Sequence, residues 1–356
     1  MKKILISLLA IAVFPVVAMA QGCPTPTTAT ATVTLKRKIP GLLDGNFSVA
    51  YEGGKYKKVA FSQGNLQYTR ESTSTPWEEG KFSFMAHQWD KIETSNVSGD
   101  YASQTAIGLF GWGTSGWDNT AADATSVHYQ PYSTCNTDHG TANNNYQYGP
   151  SNAKVVGSSS PASAESWSKE IAGNHPYENY DWGVFNSGDL GAGWRTLTAQ
   201  EWGYLFNSRT PGNSVNGVAD ARYTMATINT DGTAVNGIIL FPDDANLTTV
   251  DGVTLGNINS SGTYGVVSPT STQCSSAGWT ALETAGCVFL PAAGYRSSGT
   301  EAYGVGEHGR YWSSSANSVK LAYALYFYSG YVTPHTDLSR YIGYSVRLVK
   351  DVVVTP

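Results

Sequence analysis

The chain has 356 residues, with 22 Lys and Arg against 27 Asp and Glu, and a formal net charge of −5. This acidic balance argues against nucleic acid as a partner, because phosphate binding normally requires a basic excess or a basic stripe. Only 14% of the residues are charged whereas 12% are aromatic, and the chain contains 38 Gly and 15 Pro. The composition excludes a charged disordered chain and a helical bundle, and it favours short strands, tight turns and structured loops.

The first residues have the pattern of an export signal. The chain starts with a basic MKK, residues 4–17 are apolar, and residues 18–20 (AMA) fit a signal-peptidase site. We assign residues 1–20 to a signal peptide. Cleavage before Cys23, with acylation of that cysteine, is the alternative, and it would anchor the chain in a membrane by a lipid. Both alternatives predict an exported protein that is extracellular or lies at the outer cell surface, with no other membrane contact.

The rest of the chain divides into a lead-in and one long domain. Residues 21–45 are rich in Thr and Pro and indicate a flexible or extended segment. Residues 46–350 are expected to form a single domain. Within it, residues 118–179 are polar and lack a helical or strand period, which predicts a surface insertion.

The domain opens with a series of short strands. Residues 47–51 and 58–61 alternate apolar and polar positions around a pair of glycines, as expected for paired strands. Residues 64–68 and 82–84 continue the same pattern.

Two helices are predicted in the middle of the chain. Thr198 and Glu201 have the S/T-x-x-E spacing of a capping box, which places the start of a helix at Thr198. Ser276 is expected to be the N-cap of a second helix, and Gly286 to mark its end, since glycine suits the left-handed position after a helix. Residues 287–291 then predict a buried strand.

The tail shows the most regular alternation. Leu325 and Phe327 are predicted to point inward, the Ser329-Gly330 pair to turn the chain, and residues 345–349 to form the last strand. The positions predicted to share the opposite, outward face are Ala324, Tyr326, Tyr328, Tyr331, Thr333 and His335.

Four cysteines in an exported chain predict disulfides. Cys274 and Cys287 bracket a short segment and are the favoured pair. Cys23 can pair with Cys135 only if Cys23 is not acylated. Four free thiols are the alternative.

An ordered series of motifs carries a resemblance to a known family. The motifs are residues 194–198 (WRTLT), 201–202 (EW), 205–207 (LFN), 289–296 (FLPAAGYR), 311–314 (YWSS) and 343–349 (GYSVRLV). Over about residues 45–350 the chain resembles the "major paralogous domain" group of exported proteins of gut bacteria, which is related to the Fibrobacter set. The resemblance implies an α+β, C-type-lectin-like fold of the kind shared with formylglycine-generating enzymes, strand- and loop-rich with two short helices.

The tail is also similar to the variable region of proteins diversified by retroelements, in which a fixed scaffold carries ligand-facing positions that mutagenic reverse transcription rewrites. This similarity implies a variable ligand-binding region at residues 311–349. The ligand-facing positions it implies are Ala316, Asn317, Val319, Ala324, Tyr326, Tyr328, Tyr331, Thr333, His335, Thr336, Asp337, Leu338, Ser339 and Ile342.

These observations predict a secreted or surface-tethered, non-enzymatic binding protein, a receptor or adhesin with a diversified C-terminal surface. Its partner is expected to be a protein or glycan on another cell, a phage or a host. A structural adhesin or appendage-tip protein without diversification is the alternative.

A formylglycine-generating type of enzyme is the third alternative. That activity needs reactive cysteines near the carboxyl end, and none follows Cys287. The six histidines lack the spacing of metal ligands. We therefore expect no catalytic residues, no metal and no cofactor.

Overall fold

A computed structural model describes ten stretches of the chain, and residues Ile39–Pro356 form one compact unit. The described residues are 39–50, 56–75, 79–92, 104–112, 181–230, 232–265, 271–296, 302–317, 321–339 and 342–352. The predicted signal peptide, most of the lead-in and the polar insertion lie outside them, as do Cys23, Cys135 and Val319. None of the helices in the described part is long and apolar enough to cross a membrane.

Strands dominate the described residues, with 45% in strands and 13% in helices. The strands are β1 (Phe47–Ala50), β2 (Tyr56–Phe61), β3 (Leu66–Thr69), β4 (Lys81–Phe84), β5 (Ala106–Ile107), β6 (Trp194–Thr196), β7 (Ser214–Val215), β8 (Val218–Ala219), β9 (Tyr223–Thr230), β10 (Thr233–Leu240), β11 (Asn246–Leu247), β12 (Val253–Thr254), β13 (Thr272–Cys274), β14 (Val288–Pro291), β15 (Tyr295–Arg296), β16 (Ala302–Tyr303), β17 (His308–Ala316), β18 (Leu321–Tyr328), β19 (Tyr331–Ser339) and β20 (Leu348–Val352).

The strands form several small sheets. The largest has the order β12-β13-β9-β10-β14, and a four-stranded sheet has the order β1-β2-β20-β6. The three-stranded sheets are β17-β18-β19, β4-β3-β5 and β11-β7-β8, and β15 pairs with β16. The four-stranded sheet joins the beginning and the end of the described chain, because β20 pairs with both β2 and β6.

The predicted α+β, C-type-lectin-like fold class is wrong for this structure. The described residues form many short strands in small separate sheets, and their helical part consists of four short α-helices and one π-helical turn instead of two helices. The strand predictions from residue alternation are confirmed for β1 to β4. The fold-class prediction depended on the motif resemblance, whereas the strand predictions that are confirmed depended on local residue alternation.

The helices are short, and their starts follow local capping. They are α1 (Trp182–Phe185), α2 (Ser187–Leu190), α3 (Ala199–Gly203) and α4 (Ser276–Thr284), with the π-helical turn at Tyr204–Ser208. The capping box of α3 is confirmed, since Glu201 N donates to Thr198 Oγ1 at 3.1 Å and Thr198 N donates to Glu201 Oε2 at 2.8 Å. The N-cap of α4 is Ser275, one residue before the predicted Ser276. Gly286 has the predicted left-handed backbone, with φ of 84°.

An ion-pair network of four described residues, Lys57, Arg195, Glu201 and Asp351, ties α3 to the four-stranded sheet. Arg195 on β6 contacts Glu201 at 2.7 Å and Asp351 on β20 at 2.7 Å. The two carboxylates raise the pKa of Arg195 above its ordinary value, which outweighs the opposite effect of burial. Arg195 thus holds a helix against the sheet, a structural role.

Large aromatic residues fill the core. Six of the largest aromatic side chains are buried there: Trp194, Trp202, Trp279, Phe289, Trp312 and Phe327. Trp312 Nε1 donates to the backbone oxygen of Phe110 at 2.7 Å, and its ring centroid lies 4.3 Å from that of Tyr344. Buried indole nitrogens with a backbone partner keep such rings in one orientation. Trp312 and Phe327 belong to the sheet β17-β18-β19, so this core packs directly against that sheet.

The predicted bridge between Cys274 and Cys287 is not formed, because the structure has both as free, buried cysteines. Both lie in the apolar cluster that contains Trp279 and Phe289. Burial raises the pKa of Cys274 to about 12 and that of Cys287 further above its ordinary value. Each thiol therefore stays protonated and serves as a small core residue.

Candidate ligand-binding surface

Most of the predicted ligand positions lie on the three strands of the sheet β17-β18-β19. The pairing of these strands determines which side chains share a face. Residues paired across strands share a face, and successive residues of a strand alternate between faces. Leu325 and Phe327 of β18 point into the core, as predicted, and Val332 of β19 packs against the same cluster. Gly330 turns the chain with φ of 81°. The alternate residues of β18 therefore point to the other face.

Three tyrosines meet on that other face at the hairpin end. The rings of Tyr328 and Tyr331 stack with centroids 4.9 Å apart, and Tyr326 lies 5.4 Å from Tyr328 and 5.8 Å from Tyr331. Tyr328 and Tyr331 are 36% and 41% exposed, while Tyr326 is half-buried. The exposure predicted for Tyr328 and Tyr331 is confirmed. We call these three residues, with His308 and Arg310, the tyrosine face.

Two residues of β17 complete the tyrosine face. His308 and Arg310 pair with Tyr328 and Tyr326, so all four side chains lie on the same side of the sheet. The Arg310 guanidinium carbon lies 4.6 Å from the Tyr326 ring centroid and 3.7 Å from that of Tyr295, and no described carboxylate pairs with it. These cation–π contacts hold the rings and leave a positive charge between them.

His308 links the two strands by a polar contact. Its Nδ1 lies 3.0 Å from the hydroxyl of Tyr326, and its ring stacks on the same tyrosine at 5.7 Å. Burial and the neighbouring Arg310 lower the pKa of His308 below its ordinary value. Neutral imidazole is thus the dominant form at pH 7, and it can accept the hydrogen bond of the tyrosine.

A bulge in β19 changes which of the predicted residues lie on the tyrosine face. Thr333 pairs with Tyr326 and Thr336 pairs with Ala324, so three steps along β19 oppose two steps along β18. The bulge turns His335 away from the tyrosine face, and its ring lies 4.3 Å from that of Tyr323. The prediction that His335 shares a face with Tyr326 is therefore wrong.

Ala324 also departs from its predicted role. It lies on the predicted face, but it is 0% exposed because it pairs with the buried Trp312. A ligand cannot reach it. The prediction that Ala324 contacts a ligand is wrong, and the accessible part of this face begins at Tyr326.

The remaining predicted positions are scattered around the sheet. Asn317 donates to Asp337 at 3.2 Å and accepts from Tyr323 at 3.2 Å, which groups them on the side of His335. Leu338 and Ile342 are half-buried against the core. Thr333, Thr336 and Ser339 are half-buried, Ala316 is described only as the last residue of β17, and Val319 lies outside the described residues.

Sequence reasoning missed four residues that contribute to these surfaces, namely Tyr295, His308, Arg310 and Tyr323. A signal for two of them was present, since His308, Arg310 and Trp312 alternate along one strand. The position of Tyr295, by contrast, depends on the pairing of distant strands.

A cleft opens on the side of the sheet β17-β18-β19 that is opposite the tyrosine face. It lies between α3, the π-helical turn and the strands. Its volume is about 520 Å³. It is lined by Ala50, Ala199, Gln200, Gly203, Tyr204, Asn207, Ser208, Ser315, Tyr323 and His335. One predicted ligand position, His335, therefore belongs to this cleft.

Comparisons with known proteins give one partial match. A family model described as "Domain of unknown function (DUF8237)" matches residues 248–349, a segment that includes α4 and the tyrosine face. None of the curated proteins matches the chain, and none of the solved structures does. No solved structure therefore supports the C-type-lectin-like fold that the motifs implied.

Proposed function

We propose that the chain is an exported, non-enzymatic binding protein that captures a protein ligand on the tyrosine face. The observation that carries the proposal is the exposed stack of Tyr328 and Tyr331 on a buried scaffold. The export pattern of residues 1–20 supports an encounter outside the cell.

The composition of the tyrosine face supports a protein as the ligand. Tyr and Arg are among the residues that contribute most to binding energy at protein interfaces. Tyrosine offers a large rigid area with a polar tip and loses little conformational entropy on binding. Arg310 is already held between two rings, so it needs little ordering when a ligand arrives.

The arrangement also supports diversification, as the resemblance of the tail implies. Leu325 and Phe327 anchor β18 in the core, while alternate side chains at Tyr326 and Tyr328 face outward. Because outward residues of a half-exposed strand contribute little to the core, they can change while the backbone stays in place.

Comparison of the gene with its genomic surroundings tests this proposal. We expect a near-copy of the tail-coding DNA beside a reverse transcriptase gene, differing at template adenines in the codons of Tyr326, Tyr328 and Tyr331. The codons of Ala324 and Phe327 should be unchanged, because both side chains are fully buried. Absence of such a copy, or differences spread equally over buried codons, would contradict diversification and favour a structural adhesin.

A further inference from the structure

The cleft beside α3 has the geometry of a small-molecule site separate from the tyrosine face. Its volume of about 520 Å³ falls within the range of roughly 300–1,000 Å³ that is usual for ligand sites. Tyr323 lines it from β18. Since Tyr323 and Tyr326 are three positions apart along this strand, they point to opposite faces of the sheet.

Aromatic rings form two walls of the cleft. Tyr323 and His335 lie 4.3 Å apart on the strand side, and Tyr204 lies on the helical side. Flat aromatic surfaces suit the C–H face of a sugar ring, which is apolar although its edge carries hydroxyl groups.

Polar side chains that make no hydrogen bond within the described part of the chain also line this cleft. The side chains of Gln200, Asn207 and Ser208 are exposed, and none of them forms a hydrogen bond with other described side chains or with the described backbone. An amide offers donors and an acceptor on one group, so Gln200 and Asn207 can each hold neighbouring hydroxyls of a ligand. The π-helical turn that presents Asn207 and Ser208 is a feature often found at functional sites.

The charge of the lining indicates a neutral ligand. None of the ten lining residues is Asp, Glu, Lys or Arg. The buried carboxylate of Glu201, which follows Gln200 in α3, is already paired with Arg195 at 2.7 Å. A charged ligand would lose hydration here without gaining a counterion, whereas a polyhydroxylated neutral ligand would exchange water for amides and hydroxyls.

We propose that this cleft binds the end of an uncharged saccharide, with Tyr204 and Tyr323 stacking on the sugar ring and Asn207 and Gln200 binding its hydroxyls. The site is independent of the tyrosine face, so the two can bind different ligands.

Saturation-transfer NMR and calorimetry on the exported chain test the proposal with glucose, galactose, mannose, N-acetylglucosamine and their disaccharides. Glucuronic acid and glucosamine are the matched charged probes. At least one neutral sugar should bind, and its charged analogue should bind about 10-fold more weakly because none of the described lining residues is Asp, Glu, Lys or Arg. Asn207→Ala should weaken the neutral sugar about 10-fold by removing its hydrogen bonds.

Asn246→Ala is the matched control, since Asn246 is an exposed asparagine outside the cleft. Its sugar affinity should equal that of the wild type. Both substitutions change exposed side chains, so the fold should persist in each. Absence of a signal from every neutral sugar would overturn the proposal, as would equal binding of the charged probes or an unchanged affinity in Asn207→Ala.

Discussion

Arg347→Ala is expected to lower the free energy of unfolding by roughly 4–6 kcal/mol, because it combines a core cavity with unsatisfied buried acceptors. Arg347 is fully buried. Its Nη1 donates to Asn65 Oδ1 at 3.2 Å, and its Nη2 donates to Gln88 Oε1 at 3.0 Å and to the backbone oxygen of Phe289 at 3.2 Å. Alanine would remove all three donors from a site without solvent access.

Substitution of Gln88, a hydrogen-bond partner of Arg347, should lower the free energy of unfolding almost as much. Its Nε2 donates to Glu283 at 3.0 Å, and its Oε1 accepts from Phe289 N at 2.7 Å as well as from Arg347. Burial lowers the pKa of Arg347 to about 10, so the guanidinium is still charged at pH 7. Gln88→Leu would leave this charge short of an acceptor, and we expect a loss of roughly 3–5 kcal/mol.

Urea unfolding of the purified variants measures both losses. Lys58→Ala is the control, because Lys58 is half-exposed and its ion pair with Asp243 spans 3.5 Å. Such a pair contributes less than about 1 kcal/mol. An Arg347→Ala variant as stable as this control would show that the buried hydrogen bonds of Arg347 do not stabilise the fold.

Asp181→Ala is expected to lower the free energy of unfolding by roughly 3 kcal/mol or more, because buried backbone N–H groups lose their acceptor. Asp181 Oδ1 accepts from Gly183 N at 2.9 Å and from Val184 N at 3.2 Å. Its Oδ2 accepts from Thr196 N at 3.0 Å. The fully buried carboxyl both caps α1 and joins it to β6.

The effect of Asp181 should also depend on pH. Burial raises its pKa from 3.8 to about 6, although the backbone N–H groups act in the opposite direction. Between these values the folded state binds more protons than the unfolded state, so the contribution of Asp181 to stability falls as the pH rises. A shift of this size corresponds to roughly 3 kcal/mol.

Asp181→Asn isolates this term, because an amide does not titrate. The difference in free energy of unfolding between the wild type and Asp181→Asn should be largest near pH 4 and should decrease up to about pH 7. A difference that grows with pH would mean that the N–H groups outweigh burial.

Local patterns in the sequence predicted local structure well. The capping box of Thr198 and Glu201, the left-handed Gly286 and the inward Leu325 and Phe327 were all predicted and are confirmed. Each depends on residues within a few positions of one another, so the chain's own spacing is sufficient.

Features that depend on pairing between strands were not predictable in this way. The bulge that turns His335 toward Tyr323 arises from the register of β18 against β19. Ala324 follows the predicted alternation, yet Trp312 on β17 buries it. Alternation predicts which face of the sheet a side chain occupies. It does not predict whether a side chain of the neighbouring strand buries it.

Site-specific photocrosslinking tests most directly whether the tyrosine face contacts a ligand. The photoreactive residue p-benzoylphenylalanine replaces Tyr328 in one variant and Val218, a residue of β8 that is 38% exposed and outside both proposed sites, in the control. After incubation with intact neighbouring bacteria, host cells or phage and illumination, we expect a discrete crosslinked protein at position 328, none at position 218, and loss of the product when Tyr331→Ser is added. Equal crosslinking at both positions, or a product that persists with Tyr331→Ser, would show that the tyrosine face does not bind the captured protein.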